Sequence, residues 1–329
     1  MIELTAATID GKRIDYTPAL RDADLSTQRF DSPASLKFTG LELSGIAIPE
    51  GSTVKLTEDG ETVFSGFVFR ASRNKIGEVT YTAYDQLRYL KANASFTFTN
   101  ADAAEVIRTI AEYFGLTVGD LADTGYKFPV LVFEDQSCLD MIFDTVSQTI
   151  YQTGTIYVFY DDNGKLVLRE ASRLVRDSII GDGSLMTDYE YARDIDRDTY
   201  NRIKLARANE ETGRTDVYIV EDTDSIRKWG MLQYYESVDK NLNAAQIEEL
   251  CGRYLKYYNR VLQSLTLDAL GVPGLRAGNI IPVFIRDVEV LSLNRVLLIE
   301  KITHHYEGSG YHDMTLDVRS FEQLGGGDG

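Results

Sequence analysis

The chain has 329 residues, of which 43% are hydrophobic, and it carries a formal net charge of −17. That length allows two or three domains with separate cores, whereas no apolar run approaches the ~20 residues of a membrane-spanning helix. An acidic surface repels nucleic acid phosphates, which disfavours a DNA-reading function, and the alternating, charged N-terminus is unlike a signal peptide. We therefore expect a protein that folds in the cytoplasm and has no membrane partner.

Residues 1–98 carry strand patterns. Val54 and Leu56 alternate with polar residues before the tight-turn sequence EDG at 58–60, and the apolar alternation then resumes around Gly66, a predicted β-bulge. Several short strands at regular spacing are typical of a small barrel or sandwich. We assign these residues to an N-terminal β-barrel domain.

The periodicity becomes helical near residue 100. Ile107 and Ile110 lie on one apolar stripe, with Asn100 as the expected N-cap and Gly115 as the expected left-handed residue at the C-terminus. A second helical stripe follows in DQSCLDMIFDTVSQTI, and a hairpin follows in GTIYVFYDDNGKLVLRE. Residues 99–180 are therefore predicted to form an α+β insert domain.

Strand patterns return in residues 181–324, which we assign to a C-terminal β-barrel domain. One long helix interrupts it at about 243–261, and Asn243 with Gln246 three residues later resembles a capping box. The glycine-rich end, 325–329, is predicted to be a flexible tail. The predicted fold class is α+β, mainly β: two related small β-barrel domains with an α+β insert.

Two segments repeat one theme, residues 49–90 and 276–324. Each begins at a glycine that opens a strand, crosses a turn into a long apolar strand, and ends with an alternating strand. Their identity is low, so the pattern alone leaves open whether they are a duplication.

All three histidines, His304, His305 and His312, lie in ITHHYEGSGYHD, residues 302–313. Three imidazoles beside Asp313 raise the question of a metal or catalytic site. A transition-metal site needs three or four convergent ligands, so the register of this hairpin decides the matter.

Hydrophobic matching fixes that register, because a slip of one residue turns a whole face of a strand over. A loop at Gly308–Gly310 pairs Tyr306 with His312 and His304 with Met314, which unites the apolar faces. The same register places His305 and Asp313 opposite each other on the other face. The three histidines are therefore not expected to converge, and we predict no metal site.

No catalytic or cofactor-binding motif is present in the sequence. Neither a GxSxG, HExxH or Walker motif nor a Rossmann glycine fingerprint occurs. Four adjacent acidic pairs occur, and most of them are at predicted turns, where they are expected to be solvated: Glu134-Asp135, Asp161-Asp162, Glu210-Glu211 and Glu221-Asp222. Cys138 and Cys251 are expected to be reduced, buried thiols. We predict no enzyme activity and no cofactor.

The candidate interface residues are aromatic or lie on the closing hairpin: Trp229, Tyr234, Tyr235, His305 and Asp313. Aromatic anchors often mark an interface, although a lone tryptophan beside a glycine is also typical of a packed corner. The hairpin preceding Trp229 is predicted to turn at 211–213.

The helix TIAEYFGLTVGDL resembles the first helix and turn of LysM modules, which grip peptidoglycan sugars. The similarity covers about twenty residues, and core packing explains its apolar positions equally well.

The order of segments in the whole chain resembles the XkdQ/YqbQ family of phage-like tail proteins. The matching segments are FSGFVFRASRNKIGEVTYTAYDQLRYLKAN, TGTIYVFYDDNGKLVLRE, RDTYNRIKLARANEETGRTDVYIVEDTDSIRKWGMLQYYESVD and LLIEKITHHYEGSGYHDMTLDV. The resemblance implies a baseplate hub of contractile tails, similar to the late-control D type, in which the first barrel is tube-like. It implies a homotrimer whose barrels form a pseudo-six-fold ring between tail tube and spike.

The implied partners are the tail tube protein, the central spike and other baseplate and LysM-type tail proteins, with DNA only as passing cargo in a phage. The implied location is the host bacterial cytoplasm during assembly and then the baseplate of the released particle. A phage, a defective prophage and a bacteriocin (tailocin) remain open, as does a second function, a peptidoglycan-binding or peptidoglycan-hydrolysing tail component.

Overall fold

The computed structural model describes residues 1–41, 47–209, 213–238, 240, 242–288 and 291–320. Within them the chain is mainly β. The first strands are β1 (Ile2–Ala7), β2 (Arg13–Asp15), β3 (Leu20–Gln28), β4 (Ser35–Leu41), β5 (Thr53–Glu58), β6 (Glu61–Arg73) and β7 (Glu78–Tyr84). The middle elements are β8 (Asn93–Ala101), α1 (Ala103–Tyr113), β9 (Val118–Leu121), β10 (Phe128–Ser137), α2 (Cys138–Thr153), β11 (Tyr157–Asp161) and β12 (Leu166–Glu170). The remaining elements are β13 (Ile180–Gly181), β14 (Met186–Asp194), β15 (Arg202–Asn209), β16 (Arg214–Glu221), α3 (Thr223–Trp229), β17 (Gln233–Val238), α4 (Ala244–Tyr258), β18 (Leu262–Leu270), β19 (Ile280–Val288), β20 (Leu291–Glu307) and β21 (His312–Arg319).

The described residues form two compact units, a larger one of residues 1–189 and 266–320 and a smaller one of residues 190–265. The domain boundaries expected from sequence, at 98 and 180, remain predictions. The predicted tail at 325–329 lies outside the described residues. Among the helices described, none has the length and apolar character needed to cross a membrane.

Thirteen strands form one large sheet. Its main order is β14-β18-β21-β20-β3-β4-β7-β6-β5-β1-β2, and β19 pairs with both β20 and β13 beside that path. In the part of the chain that the structure describes, no pairing links β14 to β2, so this sheet does not close into a barrel within one chain.

Two sets of five strands share one order within this sheet. In the first repeat, strands β3 to β7, the order is β3-β4-β7-β6-β5; in the second repeat, strands β14 and β18 to β21, it is β14-β18-β21-β20-β19. Each repeat has one long strand, β6 or β20, that pairs with the preceding strand through its first half and with the following strand through its second half. Phe67 of β6 pairs with the first residue of β5 and the last of β7. Leu298 of β20 pairs with the first residue of β19 and the last of β21.

The backbone contacts at these crossing points are also the same. The amide of Gly51 donates to the carbonyl of Val68 at 2.7 Å, and the amide of Gly278 donates to the carbonyl of Ile299 at 2.8 Å. Both glycines have positive φ, +83° and +90°, a conformation that strains other residues. A β-bulge follows both Val68 and Ile299. The theme that the sequence repeats is therefore matched in the described residues by β5–β7 and β19–β21.

The insert packs its two helices and two small sheets around one core. Ile107 and Ile110 of α1 are fully buried in it, and Gly115 has φ +66° as expected. The prediction of Asn100 as the N-cap is wrong, because Asn100 belongs to β8. Asp102 caps α1, and its side chain and that of Glu105 exchange hydrogen bonds with the backbone in a capping box.

The smaller unit is a three-stranded sheet, β16-β15-β17, that packs against α4. Its core contains Ile203, Leu205, Ile247 and Cys251. The predicted capping box of Asn243 and Gln246 begins α4 and is confirmed. The predicted turn at 211–213 falls largely outside the described residues.

Candidate functional site

The two repeats meet along one strand pairing. β20 lies antiparallel to β3, from Lys301 opposite Gln28 to Glu307 opposite Asp22. This pairing makes one continuous sheet from two separate repeats, and the side chains around it make several polar contacts between parts of the chain that are far apart in sequence. We therefore take this junction as the candidate functional site.

One bidentate ion pair connects the two repeats at the end of the junction. Arg29, just after β3, binds Glu300 of β20, with Nε 2.8 Å from Oε2 and Nη2 2.9 Å from Oε1. The Arg29 side chain is 5% exposed, and its guanidinium lies 4.1 Å from the ring centre of Phe30. Bidentate arginine–carboxylate geometry restricts both distance and angle, so the pair holds the two repeats in a fixed relation.

A buried chain of hydrogen bonds joins the repeats on the inner face. His304 Nε2 lies 2.8 Å from the carbonyl of Leu275, and His304 Nδ1 lies 2.9 Å from His312 Nε2. His312 Nδ1 then lies 2.8 Å from Oε1 of Glu58, whose Oε2 accepts from the Tyr306 hydroxyl at 3.1 Å. Glu58 belongs to the first repeat and the other members to the second, so the chain crosses the junction.

The contacts fix where protons lie. A carbonyl only accepts, so His304 donates from Nε2 to Leu275, and burial lowers the pKa of His304 to about 4. A neutral His304 then accepts at Nδ1, which makes His312 Nε2 a donor. His312 Nδ1 then faces Oε1 of Glu58. All four imidazole nitrogens have partners, and none is left to act on a substrate.

The packing around His312 is tight. Its ring stacks on Tyr306, with centres 4.2 Å apart. On the other side lies Gly271, where a Cβ would come within 2.1 Å of His312 Cγ. Only glycine at 271 leaves room for the imidazole.

The predicted register of the closing hairpin is confirmed. Tyr306 lies opposite His312, His304 opposite Met314, and His305 opposite Asp313. His305 nevertheless binds Asp24 of β3, with Nδ1 2.8 Å from Oδ1. The roles of His305 and Asp313 as interface residues remain predictions.

A second polar cluster lines a cavity of about 280 Å³ in the larger unit. The Arg276 guanidinium lies 3.5 Å from the ring centre of Tyr160, and its Nη1 donates to the carbonyl of Asp161 at 3.2 Å. Burial raises the pKa of Asp85, which accepts hydrogen bonds from two backbone amides. Both acidic and basic side chains line this cavity.

The predicted aromatic interface residues occupy different environments in the smaller unit. Tyr234 packs among the core aromatics, 5.1 Å from the ring of Tyr258. Tyr235, on the opposite face of β17, is 57% exposed and carries Lys204 5.7 Å above its ring. Trp229 ends α3 and is partly exposed. Of the three, Tyr235 is the most accessible to a partner.

The residues that the sequence offered for other chemistry are structural in this fold. Among the described residues, no group of three or more His, Cys, Asp and Glu side chains could hold a metal ion. Cys138 and Cys251 are free and buried, as predicted. The LysM-like stretch forms α1, whose apolar positions lie in the core of the insert.

Sequence reasoning missed Glu58, Tyr306, Arg29 and Glu300 as junction residues. Glu58 was assigned to a turn, although it ends β5 with 6% of its surface exposed. A carboxylate at an inward position of a strand needs a buried partner. The charge of Glu58 at such a position was therefore the signal in the sequence that could have revealed the junction.

Comparison with known proteins gives a consistent result. A model of the family described as YQBQ-like matches residues 23–319. The chain is 34% identical over 302 residues to the uncharacterized protein YqbQ of Bacillus subtilis, covering 89% of this chain and 90% of that one. It is 30% identical over 301 residues to the phage-like element PBSX protein XkdQ of the same organism, with the same coverage. The 43 kDa tail protein of prophage MuSo2 from Shewanella oneidensis has a similar fold, with a TM-score of 0.72, 14% identity and coverage of 98% and 99%.

Proposed function

This chain belongs to the YqbQ-like family, and on that premise we propose that it is a structural baseplate hub of a contractile phage tail or phage-tail-like particle. In this role it joins the six-fold tail tube to the three-fold spike and catalyses no reaction. The relative from the phage-like element PBSX and the similar fold of a prophage tail protein support a tail protein; the hub role rests on the architecture.

The observation that carries the proposal is the pair of repeats with matched strand order and matched glycine contacts. A homotrimer of such chains offers six nearly equivalent repeats to a six-fold tube, while its own symmetry stays three-fold toward the spike. Oligomers of this kind need extensive, self-complementary contact surfaces rather than a cleft. We propose that each repeat is a barrel-type half and that the trimer completes a pseudo-six-fold ring.

The junction suits that role because it is rigid. The Arg29–Glu300 pair and the buried chain from Leu275 to Glu58 each constrain the two repeats. A hub that transmits force between tube and spike must keep its halves in a constant relation, and buried, fully partnered polar groups specify one arrangement.

The proposed partners are the tail tube protein, the central spike and neighbouring baseplate and LysM-type proteins. DNA passes as cargo only if the particle is a phage. Assembly takes place in the bacterial cytoplasm, and the mature protein then resides in the baseplate of the released tail.

The test is electron microscopy of the purified protein mixed with the tube and spike proteins of the same particle. We expect a ring of three chains with the tube on one side and the spike on the other. Absence of any such complex, together with turnover of purified peptidoglycan, would instead support a cell-wall-degrading tail component.

A further inference from the structure

The two repeats differ in the pairing of their long strands. β20 pairs with β19 and β21 of its own repeat and also with β3 of the first repeat. β6 pairs only with β5 and β7 among the described strands. β14, the equivalent of β3, pairs only with β18 along the same sheet. Within the described ranges, one copy of the chain thus leaves one unpaired strand edge on each repeat.

The unpaired edge of β6 is equivalent to the junction edge of β20. Counting from the matched bulges, Arg70 corresponds to Lys301, because they pair with equivalent residues of β7 and β21. Ala71, which corresponds to the buried Ile302, is exposed, as are Ser72 and the residues up to 76. The edge that is covered in the second repeat is therefore open in the first.

The charges of the two open edges are complementary. Residues 69–75 of β6 and its turn read FRASRNK, with three basic and no acidic side chains, whereas β14 reads MTDYEYARD, with three acidic and one basic. At the internal junction an imidazole of β20, that of His305, likewise contacts a carboxylate of β3, that of Asp24. An unpaired strand edge exposes a row of backbone donors and acceptors that favours pairing with another chain.

We propose that β6 of one copy pairs antiparallel with β14 of a second copy, reproducing between chains the pairing that β20 and β3 make within one chain. Each chain then contributes one β6 edge and one β14 edge, and the contact is heterologous, so it closes into a ring when the rotation between successive copies divides a full turn. The ring of three rests on the proposed function; the strand pairing rests on the repeat itself.

Disulfide trapping tests the pairing. Ser72 corresponds to Thr303, whose Oγ1 lies 3.1 Å from Ser26 Oγ across the internal junction. Ser72→Cys is combined in turn with Glu190→Cys, Tyr191→Cys and Ala192→Cys, and the purified full chain is oxidised gently. The matched control is Ser26→Cys with Thr303→Cys, which must form a bond within one chain and leave the mass unchanged. The native thiols are buried, and single-cysteine variants measure any background.

We expect at least one β6/β14 pair to give covalent dimers and trimers on non-reducing gels. Charge reversal supplies an independent arm: Arg70→Glu with Arg73→Glu should raise the dissociation constant of the oligomer at least tenfold, and adding Asp188→Arg with Glu190→Arg should recover most of the affinity. Arg108→Glu, on the exposed side of α1, is the control and should leave assembly unchanged.

The outcomes separate this inference from the proposed function. A particle of three times the 37.0 kDa chain mass that gives no β6/β14 cross-link and ignores the charge reversals overturns the pairing while leaving the trimeric hub intact. Failure to form any oligomer or cross-link, when the internal control bond forms, overturns both.

Discussion

Oε1 of Glu58 lies 2.8 Å from Nδ1 of His312, although the two residues come from different repeats. Glu58 ends β5, and His312 begins β21 on the far side of the shared pairing between β3 and β20. The repeats are therefore connected by this buried side-chain contact as well as by backbone pairing and the Arg29–Glu300 ion pair. Disturbing any of these connections should be measurable as a loss of stability.

The first prediction concerns acid. Burial lowers the pKa of His304 to about 4 from an unfolded value of 6.5, so between those pH values the unfolded chain binds a proton that the folded chain does not. The contribution of His304 to the unfolding free energy is fully present above about pH 6.5. It falls as the pH decreases toward 4, by roughly 3 kcal/mol in all. Urea unfolding followed by circular dichroism at pH 7.5, 6 and 5 measures it.

Removal of the buried imidazole tests this assignment. His304→Gln should flatten the pH dependence of the unfolding free energy between pH 6.5 and 4, whereas the parent chain should keep it. An unchanged pH profile in His304→Gln would mean that another group governs acid sensitivity.

The second prediction concerns the ion pair at the junction. Arg29→Met removes the bidentate partner of Glu300 and leaves it only the longer contact with Arg319, 4.0 Å away. The unfolding free energy should fall by about 3 kcal/mol, because a mostly buried carboxylate loses its bidentate donor. The double variant Arg29→Met with Glu300→Met should regain most of that loss in denaturant unfolding. Equal losses in the single and double variants would contradict a paired role.

The third prediction concerns the glycine beside His312. Gly271→Ala should destabilise the fold by about 1–3 kcal/mol, since its Cβ would overlap the imidazole. Gly252→Ala is the matched control: Gly252 lies inside α4, and the space that its Cβ would occupy is open, so the change should stabilise by about 0.5–1 kcal/mol. Thermal unfolding should give a lower melting temperature for Gly271→Ala and a higher one for Gly252→Ala than for the parent chain.

The fourth prediction separates two adjacent tyrosines. Tyr234→Ala should cost roughly 3 kcal/mol because its ring packs in the core of the smaller unit. Tyr235→Ala should change stability by less than about 0.5 kcal/mol yet weaken association with tube, spike or baseplate proteins. Melting temperatures and co-sedimentation distinguish the two effects, and normal assembly of Tyr235→Ala would remove that residue from the interface.

Local sequence patterns were sufficient to predict the parts of the fold that depend on residues close together in the sequence. The hairpin of His304 and His312 could be predicted because matching apolar faces admits one register. The cap of α1 was assigned two residues early, to Asn100, although Asp102 and Glu105 form the capping-box sequence that should have been preferred.

The junction could not be predicted in this way. Arg29 and Glu300 are 271 positions apart, and pairing between two strand edges depends on backbone groups that every residue carries. The sequence therefore indicated two similar segments and left open both their duplication and their connection. A register inferred for one hairpin says nothing about which other strand its free edge will meet.

The connections at the start of each repeat differ in a way that reduces symmetry. Between β3 and β4 the chain needs only residues 29–34, whereas between β14 and β18 it uses residues 195–261, which hold most of the smaller unit. A hairpin turn in one repeat is thus the insertion point for a folded unit in the other. In any ring built from these chains, repeats with the short connection would alternate with repeats that carry the smaller unit. A partner could therefore distinguish the two kinds of repeat by this unit alone.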